Sequence, residues 1–257
     1  MAVEVHPTAI VSPKAQIGDG CVIGPFSIIG PEVTMGAGCV IGPRVSVEWS
    51  KIGANVNVGA NSIVGGDPQI YNWKKVSSWV EIGDGAFINE LTAVHRSMYE
   101  GKTTAIGSGS YIMTQTHIGH DCKIGKEVTM TTLAGLSGHV EVEDYAVIGG
   151  AAGVHQFVKI GTMAMVGGMA RIVQDVPPYF TVAGNPAESH GLNLYALKKR
   201  GVGPKERQAL KAAYHILARS NLPVTDAVKK IEDEMPVEGI IKVLVDFAKN
   251  SERGLTL

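Results

Sequence analysis

Residues 106–124 read IGSGSYIMTQTHIGHDCKI, which places an aliphatic side chain at Ile106, Ile112, Ile118 and Ile124, six residues apart each time. A helix does not return to one face every six residues, and an isolated strand alternates every two. A strict six, with Gly after the aliphatic residue as in Ile124-Gly125, reads as three short strands per coil, about 18 residues long and stacked into a triangular prism. From this run the pattern continues through Met130, Leu136, Val142, Ile148, Val154, Ile160 and Val166 to Ile172. On the N-terminal side it holds from Val5 to Val47, slips by one residue to Ile52, Val58 and Val64, and reappears at Ile82, Ile88 and Val94.

Four residues after each aliphatic one stands a small or β-branched residue: Cys21, Ser27, Cys39, Thr116, Cys122, Ala134, Ala146 and Ala152 among others. A narrow prism needs this pairing of a large and a small inward residue on each face. All three cysteines fall at the small inward position and read as core filler. The pattern breaks at about 65–81 and 96–105, which predicts two loops leaving the prism, the first carrying Tyr71, Trp73 and Trp79. Those aromatics suit stacking on a base, lining an acyl groove or packing on a neighbouring subunit. Beyond Ile172, Asp175-Val176-Pro177-Pro178 and Gly184-Asn185-Pro186 signal turns. Helical patterns follow at 204–219, from Thr225 as N-cap to 234, and at about 237–250. The fold class is therefore mainly β: a parallel β-helix over 1–189 and an α-helical domain over 190–257 that caps it.

Composition agrees with a turn-rich β architecture, since 32 of 257 residues are Gly and only 18% are charged. A net charge of −1 gives no bias toward nucleic acid. The charge is uneven: residues 190–257 hold 12 Lys/Arg against 8 Asp/Glu, a net of +4, which points to an anionic partner there. No apolar run of about 18 residues predicts a membrane span, and Met1 to Val11 does not read as a secretion leader. An odd number of cysteines without metal-ligand spacing points to a reducing, cytoplasmic setting.

Four histidines lie in the unbroken repeat. His117, His120, His139 and His155 occupy the sixth, third, fourth and second places of their hexads, so none points into the core. His120 and His139, 19 residues apart, should adjoin on the outer surface, with Asp121 beside His120 at a prism corner. An imidazole oriented by a carboxylate suits general-base chemistry. A site of three histidines for a metal finds no carboxylate or Cys partner at stacked positions, so no metal is expected. With no Gly-x-Ser-x-Gly elbow and no plausible Cys nucleophile, direct attack by an acceptor is preferred to a covalent intermediate.

The segments His117-Ile118-Gly119-His120-Asp121-Cys122, Gly138-His139-Val140, Val154-His155-Gln156-Phe157 and Gln174-Asp175-Val176-Pro177-Pro178-Tyr179 resemble the UDP-N-acetylglucosamine O-acyltransferases, which begin lipid A synthesis in Gram-negative bacteria. The resemblance covers the whole chain, to Asn250-Ser251-Glu252-Arg253-Gly254. It implies a left-handed coil, a homotrimer with sites between subunits, and acyl carrier protein as donor through its phosphopantetheine arm, with no cofactor of the enzyme's own. It implies His120 as general base on the sugar 3-hydroxyl, Asp121 as its partner and the Gly138 N–H as oxyanion donor. His95, His117, His139, His155 and Gln156 would bind sugar, diphosphate or acyl chain. Gln69 would contact substrate; Asn193, Lys199 and Arg200 the nucleotide. Gly168 would leave a long acyl tunnel. The run Lys198, Lys199, Arg200, Lys205, Arg207 and Lys211 fits docking of an acidic carrier protein.

Some contacts depart from the family. Gln69-Ile70-Tyr71-Asn72 stands where Gln-Asp-Leu-Lys is usual, Tyr195 where Glu is usual, Lys199 where Arg is usual, and Ser97-Met98-Tyr99 follows His95-Arg96 in place of Gly-Thr. These leave open a variant acceptor such as a 3-amino UDP-sugar. The other readings are acyl or acetyl transfer from coenzyme A to another nucleotide sugar, a carbonic anhydrase-like metalloprotein, and a non-catalytic scaffold.

Overall fold

The computed structural model describes residues 2–257. Most strands are two residues long, the first residue outward and the second inward, and they stack at an offset of one coil: His117 beside Gly135, Ile118 beside Leu136, Lys123 beside Glu141. Three sheets of eleven, nine and eight strands result among the described residues, and every pairing within the coil is parallel. The coil is a left-handed parallel β-helix, against the usual crossover hand.

The inward aliphatic column is almost dry, with Ile112, Ile118, Met130, Leu136 and Ile148 fully buried. Each such side chain stabilises the prism by about 1.5–3 kcal/mol relative to exposure. The small inward residues have a second function that the repeat did not announce. Ser27 Oγ donates to Gly42 O (2.7 Å), Ser110 Oγ to Gly125 O (3.0 Å) and Cys122 Sγ to Ser137 O (3.0 Å), so the next coil's corner carbonyls are satisfied from inside. All three cysteines are buried and free. Burial pushes the Cys122 thiol up to about 12, which bears out its reading as filler and removes it as a nucleophile.

The corners require left-handed backbone, and non-glycine residues adopt it. Asp121, His139 and Phe157 (φ +62°, +61°, +66°) stack on the edge between the nine- and eight-stranded sheets. Rung-to-rung bonds such as His139 N–H to His120 O (3.0 Å) and Phe157 N–H to Gly138 O (3.2 Å) offset the roughly 1–2 kcal/mol such a residue costs.

Both expected loops leave and return at this same edge, but they are shorter than the repeat count implied. The first spans 67–78 and the second 96–102. Trp79–Ile82 and Thr103–Ile106 are four-residue strands that pair along their whole length, so Trp79 is a strand residue and not a loop aromatic. The alternation of Val80 and Ile82 inward with Trp79 and Glu81 outward had been obscured by counting in sixes.

After the last coil, Phe180–Gly184 and Ala187–Leu192 form an antiparallel hairpin that the turn signal at Gly184 only hinted at. Four helices follow: α1 (Leu194–Lys199), α2 (Pro204–Arg219), α3 (Val224–Glu234) and α4 (Gly239–Lys249). The sequence did not anticipate α1. Thr225 is not an N-cap, because Pro223 holds that place with its fixed φ and Thr225 lies inside the first turn. Leu210, Ala213, Tyr214 and Leu217 of α2 are buried, and the Tyr214 ring meets Phe180 of the hairpin at 5.0 Å. The chain end returns to the coil through bonds between Asp175 and the backbone of Gly254 and Thr256.

Candidate active site

His120 sits just before the corner at Asp121, and its Nδ1 lies 2.8 Å from Asp121 Oδ2. An ionised carboxylate only accepts, so Nδ1 carries the proton and Nε2 presents its lone pair. One coil later, Gly138 lies under the ring: a Cβ there would stand 2.5 Å from His120 Cε1 and 2.6 Å from Nε2. The glycine is what lets the imidazole lie over the rung. Gly138→Ala is expected to displace the ring and lower kcat by about 100-fold, the cost of roughly 1 Å of misplacement, with little change in melting temperature. Parallel kinetics and thermal unfolding check this.

His139 stands edge-on to His120 at 5.0 Å, stacks on Phe157 at 4.5 Å and 7°, and is flanked by Tyr99 at 5.8 Å. The adjacency read from a spacing of 19 is thus present. Asp121 is held by more than His120: the Ser97 hydroxyl donates to Oδ1 and the Met98 N–H to Oδ2 (3.1 Å). Burial pushes this carboxyl up, but the bonds from His120, Ser97 and Met98 together hold it below its usual range.

On the adjoining nine-stranded face, His95 and His117 have ring centroids 5.0 Å apart. Burial lowers both, and each is lowered further by neighbouring histidines. His95 Nδ1–H donates to Asp67 O at 2.7 Å, which leaves Nε2 as a buried acceptor with no partner among the described residues. Below them runs a groove of about 340 Å³ lined by His117, His155 and Arg171. Its floor includes Gly135 and Gly153, where an added Cβ would meet nothing, so the missing side chains are the groove. His155 and Gln156 are exposed at its rim.

Of the other residues expected at the site, Gln69 lies in the first loop on the His120 edge, while Gly168, Asn193, Lys199 and Arg200 lie elsewhere on the single chain. Gly168 stands on the far edge of the nine-stranded sheet, beside the exposed corner at Met169. Gln69 is exposed in the first loop. Asn193 uses its side chain to cap α1 through Ala196 N–H (3.1 Å) and to donate to Met163 O (2.9 Å). Arg200 bonds Glu127 (2.6 Å) and lies 3.8 Å over the Tyr145 ring, on the edge between the eight- and eleven-stranded sheets. Lys199 is exposed beside Tyr195 on the same helix. One copy therefore does not bring Gly168, Asn193, Lys199 or Arg200 to His120.

The expectation that no carboxylate accompanies the histidines is corrected. His120, Asp121 and His139 each offer a ligand atom, all within 4.8 Å.

Sequence reasoning missed the brace behind the dyad. Arg96 is fully buried, its guanidinium 4.5 Å from the Trp49 ring and 4.9 Å from Trp73. It donates to Asp67 Oδ1 (2.8 Å) and to Val76 O (2.6 Å), and Trp73 Nε1–H donates to Met98 O (3.0 Å). The two loops are one clasped unit, and Trp73 is its clamp. A signal existed in the cation placed two residues after inward Val94.

Residues 175–256 match the family model described as UDP N-acetylglucosamine O-acyltransferase, domain 2, and residues 5–99 match the GMPPB C-terminal domain model. The chain is 41% identical over 257 residues, covering 98% of both chains, to an acyl-[acyl-carrier-protein]–UDP-N-acetylglucosamine O-acyltransferase of Burkholderia lata. Its fold is similar to UDP-N-acetylglucosamine acyltransferase structures from Acinetobacter baumannii (TM-score 0.93, 36% identity, 98% and 99% of the two chains) and Francisella novicida (0.93, 34%, 98% and 93%). With full-length identity above two-fifths and a shared coil, this acyltransferase belongs to the UDP-N-acetylglucosamine O-acyltransferase family.

Proposed function

We propose that the protein transfers a 3-hydroxyacyl chain from acyl carrier protein to the 3-hydroxyl of UDP-N-acetylglucosamine, the first step of lipid A synthesis, with His120 as general base. The observation that carries this is His120 tied by Nδ1–H to Asp121 while Nε2 stays open over Gly138. Nε2 takes the proton of the sugar hydroxyl as its oxygen attacks the thioester carbonyl carbon. The tetrahedral oxyanion is held by the Gly138 N–H, which has no partner among the described residues. Collapse breaks the C–S bond, and the imidazolium returns its proton to the departing phosphopantetheine thiolate. Asp121 stabilises that imidazolium. His117 and His155 line the groove that takes acceptor and acyl chain, with His95 beside His117 and Gln156 next to His155 as further contacts.

A homotrimer completes the site by bringing Asn193, Lys199 and Arg200 of a neighbour to the nucleotide. In support, the edge between the eleven- and nine-stranded sheets carries large apolar side chains at Phe26, Leu91, Leu133 and Met169, at least half exposed, among the polar corners Arg44, Asn61 and Gln115. The basic α1–α2 surface, Lys198 to Lys211, receives the acidic carrier protein. Among the described residues no helix is long and apolar enough to cross a membrane. Free buried thiols are consistent with a cytoplasmic setting.

The test is transfer of labelled 3-hydroxyacyl groups from carrier protein to UDP-N-acetylglucosamine and, in parallel, to its 3-amino counterpart. Acylated UDP-N-acetylglucosamine supports the assignment. Product only with the amino sugar shifts the acceptor, and no product with either from a folded trimer overturns the proposal.

A further inference from the structure

We propose that Ser97 is a positioning residue for the His120–Asp121 dyad, a role that rests on the general-base reading above. Asp121 has two oxygens with separate duties. Oδ2 receives His120 Nδ1–H at 2.8 Å and Met98 N–H at 3.1 Å, while Oδ1 receives the Ser97 hydroxyl. The carboxylate torsion of an aspartate is broad and two-fold, so a single bond to His120 would leave the plane free to turn. A donor on each oxygen fixes it.

Ser97 can serve because it is itself immobilised. It is fully buried, and its carbonyl accepts Ser78 Oγ–H at 2.5 Å. Its Oγ accepts the Tyr99 N–H at 3.0 Å, which orients the hydroxyl so that its own proton goes to Asp121. The alternative acceptor, Tyr99 O, is 3.5 Å away. The residue before it is Arg96, locked between Trp49 and Trp73 and bonded to both ends of the first loop through Asp67 and Val76. The second loop thus does more than border the groove: it sets the angle of the base.

Several charged or titratable groups share this environment. His95 and His117 face the imidazole from the nine-stranded sheet, and His139 faces it from the next rung. Lys102, Lys123 and Glu141 lie on the far side of Asp121. None of them touches Ser97 Oγ, so a Ser97 variant changes the dyad without removing a charge.

The experiment compares full-length parent, Ser97→Ala and Ser97→Thr in kcat, acceptor KM and the pH dependence of kcat/KM. Ser97→Ala is expected to lower kcat about tenfold, short of the roughly 100-fold of a full 1 Å misplacement, with KM unchanged within twofold. Its acid limb moves to lower pH, because a loosened Asp121 stabilises the imidazolium less well. Ser97→Thr, which keeps the hydroxyl, restores the limb and most of kcat. A reduced rate with the acid limb in place, a Thr variant no better than Ala, or parental behaviour of Ser97→Ala overturns the role. If the parent's rate survives His120→Ala, the general-base reading itself fails; if it does not, the Ser97 result tests the positioning role alone.

Discussion

His120→Ala loses about three orders of magnitude in kcat, within the 10²–10⁴-fold span of a positioned general base. The side chain is not a structural member: it lies outside the prism, and its strong contacts are Asp121 and the edge of His139. Removing it leaves Asp121 bonded to Ser97 and Met98, and the rung at Gly138 still pairs through Phe157 N–H. Unfolding by heat or denaturant should therefore match the parent while turnover collapses. Acceptor KM should move little, since the groove residues remain. Residual turnover within tenfold of the parent would move the base elsewhere, with His139 the next imidazole on the same edge.

Arg96→Ala carries the largest expected loss of stability, about 3–5 kcal/mol by denaturant unfolding, the range for truncating a large, fully buried side chain to Ala. Asp67 is more than half exposed and regains water, so little of the cost lies in a stranded carboxylate. Most comes from the carbonyls of Val76 and Ser78 left without donors, the lost contact with two indole faces, and a cavity where the guanidinium was. Arg96→Lys should recover less than half, since an ammonium offers no planar fork to Asp67 and Val76 at once. Both loops should become protease-sensitive before the coil unfolds, and limited proteolysis with mass mapping would show it. Cleavage scattered through the coil instead would mean that Arg96 supports the prism and not the loops.

The coil was legible in the sequence because each rung repeats one local rule: a large inward residue and a small inward residue four later. The same register placed the four histidines outside and brought His120 to His139 without any fold-level knowledge. What could not be read was closure between non-adjacent segments. Nothing in Trp49, Trp73 and Arg96 as separate letters states that they stack, because that depends on where two loops return. The four-residue strands at Trp79 and Thr103 were hidden by the slip in the six-residue count. Nor could spacing reveal that Arg200 lies on a different edge from His120, since the hairpin and α1 carry it back along the prism. The inventory of partners in the site was legible to the extent that the repeat fixed it, and no further.

Both loops depart from one edge, and the strands on either side of them pair as if nothing had been inserted: Ser50–Ile52 with Trp79–Ile82, and the latter with Thr103–Ile106. The prism is indifferent to what is spliced there. The excursions and the stack are nonetheless riveted together, through Arg96 on Trp49 and through the Ser97 and Met98 bonds to Asp121. On the function proposed above, a designer wishing to retarget this scaffold would graft 67–78 and 96–102 together and keep Trp49 and Asp121, the rung residues they grip.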